Sequence, residues 1–365
     1  MRRHRLGRVA AIAAAAALLA GCAGPGAPSP AASGPAQPTP LAELTPGAYP
    51  AAITGPSTAV LADESIVPVA DDAQPALPTT VVSHDPGGDV DVTVTDASRV
   101  VALDVAGSVA ATVAGLGFAD RLVGRDVATT FPEAAALPVV TSPDGQSVDA
   151  EAVLGVSPTI VITDGSVGPR DVLQQLRSAG VAVVFVDNES SFAGAAQLAE
   201  QVAAVFGTPE LGTRLADGIS SRVAAVEAEI ARFVPSDPGQ RLRMAFLYLR
   251  GGSGVYYLFG TGSGADVLID ALGGIDAATE QGWVGMRPMT DEALVAMDPD
   301  LILVMTGGLR SVGGIDGLIA SKPAVGLTTA GEHRRFVDMA DGDILSFGPR
   351  SAEVLEALAR AVYAP

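Results

Sequence analysis

Hydrophobic residues in this chain cluster in short, almost unbroken runs, separated by glycine-bearing loops and by stretches of helical spacing. The runs at 99–104, 159–163, 243–248 and 301–305 each have the length and composition of one buried strand. Stretches with helical spacing lie between them, at 110–116, 148–154, 265–272 and 289–294. Apolar strands alternating with helices predict an α/β fold with parallel sheets covered on both faces. The order also repeats. Glu151 and Glu292 open equivalent segments, and a proline follows each seven residues later, as Pro158 and Pro299. Between the two halves, 194–231 is helical in character and broken near Gly207-Thr208-Pro209, and 211–233 has the pattern of one long amphipathic helix. The pattern therefore predicts two Rossmann-like lobes joined by a single long helix, with a ligand cleft between them. Before the first lobe, 79–83 and 89–94 flank Pro86-Gly87-Gly88 and predict a β-hairpin.

The first residues read as an address. Residues 1–9 are basic, and 10–20 are apolar but too short to span a bilayer. Leu19-Ala20-Gly21-Cys22 follows and resembles a bacterial lipobox, in which Cys22 becomes the lipidated first residue. Acyl chains there would anchor the protein on the extracytoplasmic face of the cell membrane. The segment that follows is rich in Pro, Ala, Gly, Ser and Thr, without strand or helix periodicity, and its first part reads as flexible. The expected layout is signal peptide 1–21, flexible tether 22–78, first lobe with leading hairpin 79–205, connecting helix 206–238 and second lobe 239–365.

Composition narrows the function. The formal net charge of −19 argues against nucleic acid as a partner. Cys22 is the only cysteine, so no intramolecular disulfide and no cysteine-based metal site is possible. The histidines are His4, His84 and His333, none suited to activate a serine; no Gly-x-Ser-x-Gly or His-Glu-x-x-His occurs. Gly260-Thr261-Gly262-Ser263-Gly264 lacks the lysine of a phosphate loop, the chain's only lysine being Lys322. No enzyme and no nucleotide site is expected.

The two-lobed layout and the lipobox resemble the helical-backbone class of ABC solute-binding proteins, over about residues 79–363. Val123-Gly124-Arg125-Asp126, Thr129-Thr130-Phe131-Pro132, Tyr248-Leu249-Arg250-Gly251, Val255-Tyr256-Tyr257-Leu258-Phe259-Gly260 and Phe347-Gly348-Pro349-Arg350 are similar to segments of haemin-binding lipoproteins of actinobacteria. The resemblance implies haem as transported ligand, an ABC permease with separate ATPase subunits as partner, and a monomer. It implies Tyr248 as axial ligand of the haem iron, and Glu151 and Glu292 as the residues that dock on the permease. In the family a histidine from the first lobe supplies the second axial ligand; the matching position here is Gln146, after Gly145 and five residues before Glu151. A neutral amide is a poor iron ligand. Three readings stay open: five-coordinate iron with water on Gln146, a sixth ligand such as Met286, or a different cargo such as a ferric siderophore or cobalamin.

The spacing around Tyr248 makes chemical sense without the resemblance. Ferric iron is a hard ion that favours an anionic oxygen, and a phenol is neutral near pH 7 unless assisted. In an extended strand Arg250 shares a face with Tyr248, where a guanidinium would support the phenolate by charge and hydrogen bonding. Phe131, Val255, Tyr256, Tyr257, Trp283, Met286 and Met289 are candidates for the walls of a flat apolar slot. Arg125, Arg170, Arg287 and Arg310 fall at predicted strand ends and are candidate partners for propionates at its rim.

Overall fold

Alternate residues of the apolar runs point into different cores, which is what a sheet covered on both faces requires. The computed structural model describes residues 38–47 and 49–365; Cys22 and the expected signal peptide lie outside them. A short strand β1 (Ser57–Ala59) precedes the hairpin β2 (Thr79–Ser83) and β3 (Val90–Val94), paired antiparallel in register Thr79 to Val94. The first lobe continues with β4 (Val100–Leu103), α1 (Ser108–Gly115), β5 (Leu122–Arg125), α2 (Ala150–Gly155), β6 (Ile160–Thr163), α3 (Arg170–Ser178), β7 (Ala182–Phe185) and α4 (Phe192–Val205). Its sheet is parallel throughout, in the order β5-β4-β6-β7. Val100, Ala102, Ile160 and Ile162 face the core that holds α1 and α4. Val101, Leu103 and Val161 face the opposite core, with Leu173 and Leu176 of α3.

Helix α5 (Pro209–Ile230) comes next, with proline at its start, where a missing N–H costs nothing. It packs along α4, with Gly212 set against Ala199 and Ala203, and buries Leu215, Ile219 and Val223.

The second lobe holds β8 (Arg243–Arg250), β9 (Val255–Phe259), α6 (Ala265–Ala271), β10 (Ile275–Asp276), α7 (Ala277–Glu280), β11 (Met286–Pro288), α8 (Asp291–Met297), β12 (Leu301–Met305), α9 (Thr306–Ser311), α10 (Gly314–Ser321), α11 (Thr329–Glu332), β13 (Phe336–Met339) and α12 (Ser351–Tyr363). Its strand order is β1-β13-β12-β8-β9-β11, with β10 also pairing β8. The first four strands of this order are parallel, whereas β9 pairs antiparallel with both of its neighbours, β8 and β11. The glycine-rich stretch after Tyr248 is thus largely a hairpin. Gly254 takes the left-handed conformation at its turn (φ 64°), which lets Val255-Tyr256-Tyr257-Leu258-Phe259 fold back on β8.

Residues 38–78 are not a tether. Leu41, Ala59, Leu61 and Ile66 are buried, and β1 extends the second sheet beside β13. The segment then crosses to the first lobe. Val69 N–H donates to Gly115 O at 2.8 Å, and Ala76 N–H donates to Phe206 O at 2.9 Å. The single helical connection expected from sequence is therefore incomplete, because the chain passes between the lobes a second time through this strap. Its composition disguised it: sparse apolar anchors and backbone carbonyls make the contacts, and neither leaves a periodic signal.

The lobes also meet directly. Phe192 at the start of α4 packs edge-on against Phe347 of the second lobe, with ring centroids 5.3 Å apart. Gly342 lies so close to the first lobe that a Cβ there would sit 2.6 Å from Ala128 O and 2.7 Å from Thr130 Oγ1. Among the described residues, no helix is long and apolar enough to cross a membrane.

Candidate functional site

Strand pairing gathers the aromatic residues of the second lobe on one face. Tyr248 of β8 lies opposite Tyr257 of β9, and Phe246 lies opposite Phe259. Directly opposed residues share a face, so these four rings stand together. Phe246 and Phe259 stack with centroids 5.0 Å apart, and Tyr248 stacks on Phe259 at 5.8 Å. Arg250, two residues along β8, lies on the same face, and its guanidinium carbon sits 4.4 Å from the centre of the Tyr248 ring. Tyr248 is half-buried, and among the described residues the tyrosine hydroxyls that find protein partners are those of Tyr256 and Tyr363.

The shared face of Tyr248 and Arg250 is as the alternation of a strand predicts, but the contact differs in kind. The guanidinium lies over the ring as a cation–π pair, not beside the phenolic oxygen. Its Nη1 donates to Leu249 O at 2.9 Å, and its Nη2 lies 3.3 Å from Asp341 Oδ2.

The remaining candidates separate into those near this face and those elsewhere. Tyr257 is half-buried on it. Met286 of β11 pairs with Phe259 at the sheet edge and is 63% exposed, so the edge of the aromatic row ends in an accessible thioether. Gln146 is exposed, in a turn of the first lobe where its N–H donates to Asp144 Oδ1 at 3.1 Å. Phe131 and Met289 are buried in core clusters and are not walls of an open slot. Tyr256 is on the opposite face from Tyr248; its hydroxyl meets Ser321 Oγ at 3.3 Å, and Lys322 lies over its ring. The guanidinium of Arg125 is occupied by the carbonyls of Leu137, Asp126 and Thr129, so this candidate rim cation instead staples its own loop. Arg170, Arg287 and Arg310 are exposed.

Glu151 and Glu292 occupy matching places. Each is the second residue of its helix and exposed, and each helix is capped by a side chain, Asp149 accepting from Ala152 N–H and Thr290 from Ala293 N–H. His84 is held by Asp89 at 3.0 Å in the hairpin, and His333 is exposed.

Sequence reasoning missed the polar cluster at the carboxyl ends of the first sheet. Asp104 follows β4, Asp126 follows β5 and Asp164 follows β6, so an acid closing each apolar run was the available signal. Asp104 and Asp126 are buried. Asp104 accepts from Ser108 N–H and Val109 N–H at the start of α1, and Asp126 accepts from Asp104 N–H. Asn188 bridges Asp164 at 3.0 Å and Asp104 at 3.4 Å. Among the described residues, no three His, Cys, Asp or Glu side chains are placed to hold a metal ion.

Burial holds Asp104 well above the usual carboxylate range, and repulsion from Asp126 and Asp164 adds to it. A raised folded-state pKa means the folded protein binds more protons than the unfolded chain above the ordinary aspartate range. Stability then falls as pH rises through that raised value. Asp104→Asn should flatten this fall, measured by denaturant unfolding across a pH series; an unchanged slope would refute it.

Comparison with known proteins places this geometry. The structure superimposes on the crystal structure of heme binding protein HmuT with a TM-score of 0.80 and 40% identity, covering 87% of this chain and 99% of that one. Among curated sequences, an ABC transporter substrate-binding lipoprotein of Bacillus subtilis, YvrC, is 25% identical over 68% of this chain and 75% of its own length. A cobalamin-binding protein of Halobacterium salinarum is 28% identical over 73% of this chain and 69% of its own length. The periplasmic binding protein family model matches residues 100–341, from the first strand of the first sheet to Asp341. The chain belongs to the periplasmic binding protein family.

Proposed function

We propose that this protein is the lipid-anchored, extracytoplasmic binding protein of an ABC importer, and that it captures ferric haem between its lobes and hands it to the permease. One observation carries the reading. Tyr248 stands on an aromatic face under Arg250, in a chain that follows a heme binding protein at 40% identity over 99% of that protein's length. A phenolate is a hard oxygen donor suited to Fe(III), the half-buried ring of Tyr257 opposite it offers apolar surface to a porphyrin, and the buried Phe246 and Phe259 back both rings from the core. Tyr248 is the iron ligand in this reading, with Tyr257 on the porphyrin side and Met286 at the accessible edge. The protein does no chemistry on its cargo. Glu151 and Glu292, exposed at matching positions of the two lobes, are the docking residues for the permease, and ATP is used by separate subunits. Cys22 carries the lipid anchor.

Gln146 in the place of a histidine implies five-coordinate iron, with the amide holding a water on the open side. Haemin titration should give a Soret change of five-coordinate type in the wild type, and Gln146→His should convert it toward six-coordinate iron. A second reading, cobalamin or a ferric siderophore, draws on the same substitution and on the Halobacterium relative. Titration with cyanocobalamin and a siderophore panel separates the two. Tight binding of either, with no Soret change from haemin, would replace haem as the cargo.

A further inference from the structure

Arg250 is held over Tyr248 from a distance in sequence. Asp341 follows β13, which is separated from β8 by β12. Its Oδ2 lies 3.3 Å from Arg250 Nη2, and its Oδ1 accepts the Gly307 N–H at 2.6 Å. Two adjacent glycines make room for the pair. A Cβ on Gly307 would sit 2.8 Å from Asp341 Oδ2; one on Gly308 would sit 2.9 Å from Leu249 O and 3.3 Å from Arg250 Nη1. The next residue, Gly342, is wedged against Ala128 and Thr130 of the other lobe. Asp343 then pairs with buried Arg350 at 2.8 Å. The loop that carries Asp341 is therefore pinned on both counts, and the carboxylate has a fixed place. Without it, Arg250 keeps Leu249 O and a long contact to Met305 Sδ at 3.9 Å.

We propose that Asp341 is a positioning residue of the cargo site: it fixes the guanidinium of Arg250 over Tyr248 before cargo arrives, and it acts through Arg250, not on the cargo. This inference rests on the haem reading. Half-exposed ion pairs add little to stability because water screens them and long side chains lose entropy. The same pair can matter for binding, since a side chain already held in its bound position need not be ordered when the ligand arrives.

A double-mutant cycle tests it. Asp341→Ala should weaken ferric haemin binding about threefold to tenfold in the wild-type background, within the range of coupled neighbours. In the Arg250→Ala background the same change should alter affinity by less than about twofold. Asp341→Asn keeps an acceptor for Gly307 N–H and carries the cycle if the alanine variant fails to fold. Equal losses in both backgrounds, or no loss in either single Asp341 variant, overturn the proposal. A second readout needs no haem. In ¹⁵N-arginine NMR of the ligand-free protein, the Arg250 Nε–H should become mobile on Asp341→Asn, and unchanged rigidity overturns the positioning role. Absence of haemin binding by the wild type would sink the cargo reading alone, leaving the NMR arm to decide the role of Asp341.

Discussion

Tyr248→Ala should weaken ferric haem binding by about two orders of magnitude, near 2.7 kcal/mol, and should remove the phenolate-to-iron charge-transfer band. Tyr248 is the phenol on the aromatic face that lies under Arg250, and half-buried Tyr257 opposite it would remain to give weak apolar contact to the porphyrin. Tyr248→Phe keeps the ring that stacks on Phe259 at 5.8 Å and the surface under Arg250, so it isolates the oxygen. Phenylalanine should lose the charge-transfer band as fully as alanine but retain more affinity. Visible spectra and equilibrium titration of purified variants check both statements. If Tyr248→Phe keeps the wild-type spectrum, another residue binds the iron.

Arg335→Ala should be the most destabilising single change outside the apolar core, costing about 2–4 kcal/mol and lowering Tm by roughly 3–6 °C. Arg335 is buried, and its donors reach Gly55 O, Ser57 Oγ, Ala361 O and Val362 O, at 3.2, 3.0, 2.9 and 2.7 Å. None of these partners is a carboxylate; carbonyls of the strap and of the last turn of α12 carry the charge, aided by the negative end of that helix. Burial pulls its pKa down to about 10, still high enough to keep it charged at neutral pH. Removal takes this donor from Gly55 O and Val362 O inside the protein, leaves Ala361 O with the Ser57 hydroxyl alone at 2.7 Å, and loosens both β1 and α12. Arg335→Lys should recover only part of the loss, because a single ammonium cannot span a fork of four acceptors. Thermal unfolding of the three proteins decides the matter; an alanine variant with wild-type Tm would show that water replaces the guanidinium at no cost.

The strands of both lobes were legible because a doubly covered sheet writes itself as an apolar run. β4, β6 and β12 are buried at every position, and each was found within a residue or two of its ends. The common face of Tyr248 and Arg250 was legible for the same reason: alternation in a strand is local. Other readings failed where a residue's fate depends on what lies opposite. Phe131 and Met289 look like slot walls in sequence and are core in the fold. Arg125 looks like a free cation and is spent on three carbonyls of its own loop. Asp341 gave no signal, since nothing near it in sequence says that Arg250 is its partner.

The strap shows the same limit on a larger scale. A proline- and alanine-rich segment with few apolar residues has the composition of a linker, yet Leu41, Leu61 and Ile66 are buried and Gly55 N–H donates to His333 O at 2.9 Å. Backbone groups bond alike whatever side chain they carry, so such contacts leave no trace in composition.

Local order was therefore settled by the chain alone: which stretches form strands, which form helices, and that two similar halves follow one another. Those properties depend on the spacing of apolar side chains within a few residues. The tertiary structure alone decided which groups meet across long separations. It stacked Tyr248 under Arg250 with Asp341 behind, closed the strap over both lobes, and gathered three aspartates at one sheet end. Such meetings follow from the packing of whole elements, and a one-dimensional pattern carries no record of that packing.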